Sequence, residues 1–301
     1  DNMGCDHKTV EKIKKLNSRY PTCKLTQTLT SEVDSLAAFD DNRILLGAKG
    51  EFQIFDIAQK SISTISKEHT SRINAILKLK SGNVATAGQD GTIKLWDIEN
   101  KKCIGNLKGH TQQCWIISEI KNNKLMSGGD DKQCKIWDLS TKQEDFTLYK
   151  GPGAISAAIQ LKTDKILISS GKILLLFDID TIEHLTCQDL KGGPWALHEM
   201  INGDIIVGEA KGIVALVTIT DEIIIKATFK TYFTRTVTFC IELDNLRVAA
   251  GSDENDLVLY DFSDLDSMYI MGGHTAAVSA ICKINGKSFA SAAKDGTLKI
   301  W

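Results

Sequence analysis

The sequence predicts an all-β ring of repeated, four-stranded units. Three observations carry this prediction. Residues 69–98, HTSRINAILKLKSGNVATAGQDGTIKLWDI, hold His69, Thr86, Asp90 and Trp96 in that order. The order returns at His110, Ser127, Asp131 and Trp137, and again at His274, Ser291, Asp295 and Trp301. In all three copies the hydroxyl lies 17 residues after the His, the Asp 21 and the Trp 27. The first two copies start 41 residues apart and the third 164 further on, which is four times 41. A fixed period of this size is the mark of a repeat architecture.

The elements follow in chain order. In residues 1–22, Val10, Ile13 and Leu16 are spaced for one face of a short amphipathic helix. From Cys23 the pattern is β, and residues 23–29 read as an outer strand, because CKLTQTL stands before its repeat as CIGNLKGH stands before the third. The first repeat spans 30–57, with Lys49 for the turn Asp and Phe55 for the Trp. Repeats two and three span 69–98 and 110–139 and are complete. The fourth, 152–179, keeps Phe177-Asp178 but lacks the turn Asp. The fifth, 193–219, has Lys211 for Asp and Val217 for Trp. The sixth, 234–262, keeps Gly251-Ser252-Asp253 and Tyr260-Asp261 with one inserted residue, and the seventh is 274–301. Pro152 and Pro194 stand near the missing His of repeats four and five, which read as softer blades. Turn signals such as Lys80-Ser81-Gly82 and Asn285-Gly286 separate the strands. Units of this kind bury both faces only when stacked radially, as in a β-propeller. The seventh repeat ends at its third strand, so residues 23–29 are expected to complete it.

The chain resembles the WD-repeat β-propellers over residues 25–301. The resemblance rests on Gly109-His110 and Gly273-His274, on Trp96-Asp97 and Trp137-Asp138, and on the turns Gln89-Asp90-Gly91-Thr92 and Lys294-Asp295-Gly296-Thr297. It implies that the recurring His, Ser/Thr, Asp and Trp are a structural hydrogen-bond chain within a blade. It also implies a rim, built from the loops entering each inner strand and the second-to-third-strand turns, that binds peptides. A hydrolase triad is the rival reading, but a nucleophile needs one exposed copy in a cleft with an oxyanion donor. Three equivalent copies argue for structure. A second, short resemblance covers residues 5–24: Cys5-x-His7 and Tyr20-Pro21-Thr22-Cys23 are similar to the end of a RING or U-box-like domain. Val10 and Ile13 stand where two zinc ligands would be, so the segment supplies at most three ligands.

Composition bounds the rest. The chain has 301 residues, 43% hydrophobic and 25% charged, with three prolines and a net charge of −2. That is ordinary globular composition without the basic footprint of a duplex-binding protein. No apolar run approaches a membrane span. The eight cysteines are scattered without a Cys-x-x-Cys pair and read as reduced thiols in a cytoplasmic protein. Asp1 is not Met and Trp301 is a repeat Trp, so the chain reads as part of a longer one. No phosphate loop, dinucleotide fingerprint, metal set or catalytic constellation is present, so no cofactor is expected. The function expected is a non-catalytic scaffold for a protein or peptide partner. The alternative is the substrate-recognition propeller of a RING-type ubiquitin ligase. The rim residues picked out by position are Arg72, Gln89, Gln113, Trp115, Asp130, Trp195 and Arg235. Trp115 and Trp195, just after the first inner-strand residue of blades three and five, are expected to face the channel mouth.

Overall fold

The structure, a computed structural model, describes residues 22–231, 233–244, 247–261, 268–286 and 288–301. The helix expected over 1–22 and the ligand pair Cys5 and His7 lie outside the described residues. The rest is a closed ring of seven four-stranded antiparallel sheets. The inner strands are Val33–Ala38, Ile73–Lys78, Cys114–Ile120, Ile155–Gln160, Pro194–Glu199, Val237–Asp244 and Val278–Asn285. Each packs against the next, and the last against the first. Blades one to six run inner to outer in chain order, while blade seven takes its outer strand from Leu25–Thr28. That strand pairs antiparallel with Thr297–Ile300, Leu25 opposite Ile300 and Thr28 opposite Thr297. Two distant parts of the chain thereby form one sheet, and the ring has no open blade.

Alternation along the strands supplies the core. Middle strands such as Arg43–Ala48, Val84–Gly88 and Lys165–Ser170 are buried almost throughout, because sheets cover both of their faces. Outer strands such as Ile223–Lys230 alternate buried or half-buried with exposed. Near the axis the blades converge and only small residues fit. A Cβ on Gly128 would come within 2.3 Å of Ile155 Cγ2 in the neighbouring blade.

Polar contacts tie blade to blade. Above the centre, Ser35 Oγ donates to the Ile73 carbonyl (2.7 Å), Asn74 Nδ2 to Cys114 (3.0 Å) and Ser156 Oγ to Pro194 (2.5 Å). Ser279 Oγ donates likewise to Val33, across the closure. At the opposite end, the sixth residue of the inner strand clasps the preceding blade. Glu119, Gln160, Glu199 and Glu242 accept the backbone N–H of Lys80, Lys121, Lys162 and Ile201. Lys78 and Lys283 make the contact the other way round, donating to the Phe39 and Leu243 carbonyls.

Within blades two, three and seven the recurring quartet forms one directed chain. Trp96 Nε1–H donates to Thr86 Oγ1 (2.8 Å), the Thr86 hydroxyl to His69 Nε2 (2.8 Å), and His69 Nδ1–H to Asp90 Oδ2 (2.9 Å). The corresponding distances are 2.7, 2.7 and 2.8 Å through Trp137, Ser127, His110 and Asp131. They are 2.9, 2.8 and 3.0 Å through Trp301, Ser291, His274 and Asp295. The direction follows from chemistry: an indole only donates and a carboxylate only accepts, which leaves a neutral imidazole protonated on Nδ1. The same Asp oxygen accepts the backbone N–H of Thr70, Thr111 or Thr275, fastening the entering loop to the turn.

The other four blades do not hold a damaged quartet. They hold apolar side chains at the equivalent places: Leu29, Leu46 and Phe55 in blade one, and Ile168 and Phe177 in blade four, where Gly151 stands at the His position and the ring of the preceding Tyr149 packs against Phe177. Blade five has Leu190, Val207 and Val217, and blade six Phe233, Ala250 and Tyr260. Two readings from the sequence are corrected here. Leu190, not Pro194, takes the His position of blade five; Pro194 begins the inner strand. Blade six has no insertion, since Val248 pairs with Tyr260 as Val84 does with Trp96. Its turn acid is therefore Glu254, which accepts Thr234 N–H (2.9 Å) and Oγ1–H (2.6 Å). In blade four Ser170 pairs with Ile173 across a turn one residue shorter, so Ser170 is buried in its strand and not on the rim.

Burial lowers the affinity of His69, His110 and His274 for a proton below the ordinary histidine value, against the pull of the adjacent Asp. A second proton on Nε2 would also displace the hydroxyl hydrogen from its acceptor. These groups take up protons more readily unfolded than folded. Their contribution to stability is complete above pH ~6.5 and is lost as pH falls through that value toward the folded pKa.

Removing residues 1–29 is expected to leave blade seven with three strands and a poorly soluble, lower-melting product; a soluble product with an unchanged melt contradicts the closure. Ser127→Ala strands the Trp137 N–H and His110 Nε2 together and is expected to cost about 1–3 kcal/mol in denaturant titration. The exposed control Thr163→Ala should cost nothing measurable. Urea midpoints should fall from pH 7 to pH 5. In His110→Gln that decline should shrink without vanishing, since His69, His198 and His274 also have lowered values and share it.

Candidate functional site at the channel mouth

Every inner strand begins with an irregularity in its pairing. The register shifts after Val33, Ile73, Cys114, Ile155, Pro194, Val237 and Val278. A bulge puts two residues opposite one and re-aims a side chain. The bulge residues are Asp34, Asn74, Trp115, Ser156, Trp195, Thr238 and Ser279, one per blade. All seven line a single cavity of about 450 Å³ at the mouth of the channel. Gln89, Asp253 and Lys294, from the turns of blades two, six and seven, together with Arg72 and Phe239, complete its wall.

The ring is chemically lopsided. Trp115 and Trp195 stand on blades three and five with only Ser156 between them. The small side chain lets the two rings meet edge to face, with centroids 5.9 Å apart. Trp115 is held from behind: its Nε1–H donates to Asp130 Oδ1 (2.6 Å), and Gln113 Nε2 donates to Asp130 Oδ2 (2.5 Å). Trp195 remains 38% exposed, the most open aromatic of the pair. Across the mouth the wall is charged. Arg72 Nη1 donates to Asp34 Oδ1 (2.7 Å), and Arg72 Nη2 lies 3.5 Å from Glu32. Burial pushes the Asp34 carboxyl above its ordinary value despite the opposing charge of Arg72. Its second oxygen is buried and has no hydrogen-bond partner among the described residues.

Of the seven rim residues picked out by position, Arg72, Gln89, Trp115 and Trp195 lie together in the cavity wall. Gln113 and Asp130 sit behind it and orient Trp115. Arg235 is exposed outside it, its backbone N–H on Glu254 (3.2 Å). Asp34, Asn74, Ser156, Thr238 and Ser279 were missed. The available signal was the residue following the first apolar residue of each inner strand, read in all seven blades instead of only where it was Trp. Asp253 was missed because blade six was aligned with an insertion.

Chemically, the cavity presents an aromatic wall, hydroxyls and two amides, and two cations near two carboxylates. Such a surface can take an apolar or planar group against the indoles and orient polar groups opposite. Among the described residues no group of three or more His, Cys, Asp or Glu is placed to hold a metal ion. The described cysteines are free, and burial pushes Cys114, Cys240 and Cys282 up to about 12. No helix among the described residues is long and apolar enough to cross a membrane.

Comparison with known proteins adds three findings. Residues 59–97, 101–138 and 265–301 match the family model described as "WD domain, G-beta repeat". A segment of 61 residues, 20% of the chain, is 31% identical to the "WD repeat-containing protein 55 homolog" of Dictyostelium discoideum and spans 15% of that protein. A chain in the "Crystal Structure of Mitotic Checkpoint Complex" superposes with a TM-score of 0.83 at 12% identity, covering 94% of this chain and 92% of that one. At that identity the likeness concerns the fold. The matched repeats contain the three intact quartets, and the ring supplies the other four blades: the chain carries three WD repeats and folds as a seven-bladed β-propeller.

Proposed function

We propose that this propeller is a non-catalytic scaffold that binds a peptide segment of a protein partner at the mouth of its channel. WD-repeat propellers fit protein-interaction scaffolds in general, and the finer reading is carried by one observation: the Trp115–Trp195 pair. Two large aromatic side chains meet in a walled cavity, one braced by Asp130 and Gln113, the other left open. Trp is the residue type most often found to dominate binding energy at interfaces. A channel wall filled only for packing would bury both rings, whereas Trp195 stays 38% exposed. The polar groups around the pair supply orientation, as is usual where a mainly apolar pocket has few convergent polar groups. The ubiquitin-ligase alternative rests on residues 5–24, most of which lie outside the described residues, and no described feature favours it.

The test compares wild type with Trp115→Ala/Trp195→Ala by proximity labelling in cells and by titration against each recovered partner. Loss of roughly 2 kcal/mol or more, about thirtyfold in affinity, is expected for channel-mouth partners with the melting temperature held. Unchanged affinity for every partner rejects the channel mouth as the site and leaves the fold untouched.

A further inference from the structure

The rim of blades three, four and five carries six exposed lysines. They come in three pairs, each joining a second-to-third-strand turn to the end of the outer strand or the loop after it. Lys132 and Lys150 are adjacent in blade three, where the Gly151 N–H donates to the Lys132 carbonyl (3.2 Å). Lys172 and Lys191 flank the bond from Leu190 N–H to the Lys172 carbonyl (2.9 Å) in blade four. Lys211 and Lys230 flank the bond from Thr231 N–H to the Gly212 carbonyl (2.8 Å) in blade five. Among the described residues none of the six has an ion-pair partner, although lysines elsewhere do, such as Lys121, Lys124 and Lys226.

The acids of the same arc are mostly spoken for. Asp131 is closed into the His110 chain, Asp130 holds Trp115 and Gln113, and Glu209 is buried with the Gly192 N–H on its carboxylate (2.7 Å). Asp189 is the exposed exception. Across the mouth acids and bases are mixed: blade six shows Asp253, Glu254 and Asp256 beside Arg235, and blade one Glu32 and Asp34 beside Lys49, with Arg72 on both of the latter carboxylates. The top face therefore has a basic arc over blades three to five although the whole chain carries a net charge of −2. Trp115 and Trp195 belong to blades three and five, at the inner edge of the basic arc.

We infer that the segment bound at the channel mouth is an acidic peptide that runs outward over blades three to five. This deepens the peptide-binding reading and rests on it. An apolar or aromatic side chain of the peptide sits against the two indoles, and its carboxylates lie over the lysine pairs. Exposed pairs are individually weak, but several like charges on one face raise the encounter rate and set orientation.

An array of random 12-residue peptides of known sequence tests the inference, probed with the whole chain as wild type, Lys132→Glu/Lys172→Glu/Lys211→Glu, and Trp115→Ala/Trp195→Ala. All three lysines are exposed and unpaired, so the triple variant should keep the wild-type melt. Wild type is expected to capture peptides severalfold enriched in Asp and Glu over Lys and Arg, with capture weakened by salt. The lysine variant should lose or invert that enrichment. Capture with no acidic bias, bias that survives the lysine variant, or no capture at all would overturn the inference. A bias-free capture that the tryptophan variant abolishes overturns this inference alone and leaves the peptide-binding reading standing. A single-stranded oligonucleotide or an anionic phosphatidylserine vesicle that binds through the lysines, while the array shows no acidic bias, also overturns it.

Discussion

A buried indole N–H must have an acceptor, and the architecture of each blade follows from how that demand is met. In three blades Trp96, Trp137 and Trp301 hand it to a hydroxyl, the hydroxyl to an imidazole and the imidazole to a carboxylate at the blade's edge. Every member satisfies its neighbour, and removal of the hydroxyl leaves two buried groups, the indole N–H and the imidazole Nε2, unpaired. The four remaining blades show the other admissible solution. There the hydroxyl position is apolar, the imidazole position is apolar or, in blade four, a glycine beside the Tyr149 ring, and the indole has become Phe55, Phe177, Val217 or Tyr260. Replacing all the partners together avoids the cost of an orphaned polar group, while replacing one does not. The worn repeats are thus packed alternatives, and their cores stay continuous with those of their neighbours.

The carboxylate end of the chain reaches function. Asp90, Asp131 and Asp295 accept the N–H of the loop that enters the inner strand, so the turn and the loop become one unit. In blade six Glu254 does the same for Thr234 without the rest of the quartet. The bulges begin directly after these loops. A fixed entry point and a shifted register together aim one residue per blade at the axis, and closure through Leu25–Thr28 brings the seven into one ring. The channel mouth is a product of closure: its wall takes a residue from every blade, and Trp115 meets Trp195 only because a third blade, with a serine at its bulge, stands between them.

Symmetry of the backbone contrasts with asymmetry of the side chains. The same bulge position is occupied by Asp, Asn, Trp, Ser, Trp, Thr and Ser around the ring. Nothing in the packing of a propeller requires this order, since serines and an asparagine serve the inter-blade hydrogen bonds. The two tryptophans depart from that pattern on the side of the face that carries the lysines. Chemistry and charge thus converge on blades three to five, of which blade three keeps its quartet and blades four and five have replaced it.

The sequence by itself determined the repeat, the number of blades and the identity of the quartets. Polar residue types at spacings of 17, 21 and 27 leave few other structures that pair them all. It also placed Arg72, Gln89, Trp115 and Trp195 near the rim, because distance along the chain from an intact quartet locates them. Tertiary structure decided what such counting cannot reach. Turn length is set by strand pairing, so the shortened turn of blade four buried Ser170, and the uninterrupted pairing of blade six made Glu254 the turn acid and brought Asp253 to the mouth. The bulges are register shifts between strands, invisible in either strand alone, and they chose Asp34, Asn74, Ser156, Thr238 and Ser279 for the wall. Which side chains share a cavity is fixed only when the ring closes, since residues as far apart as Asp34 and Ser279 become neighbours through contacts between the first and last inner strands.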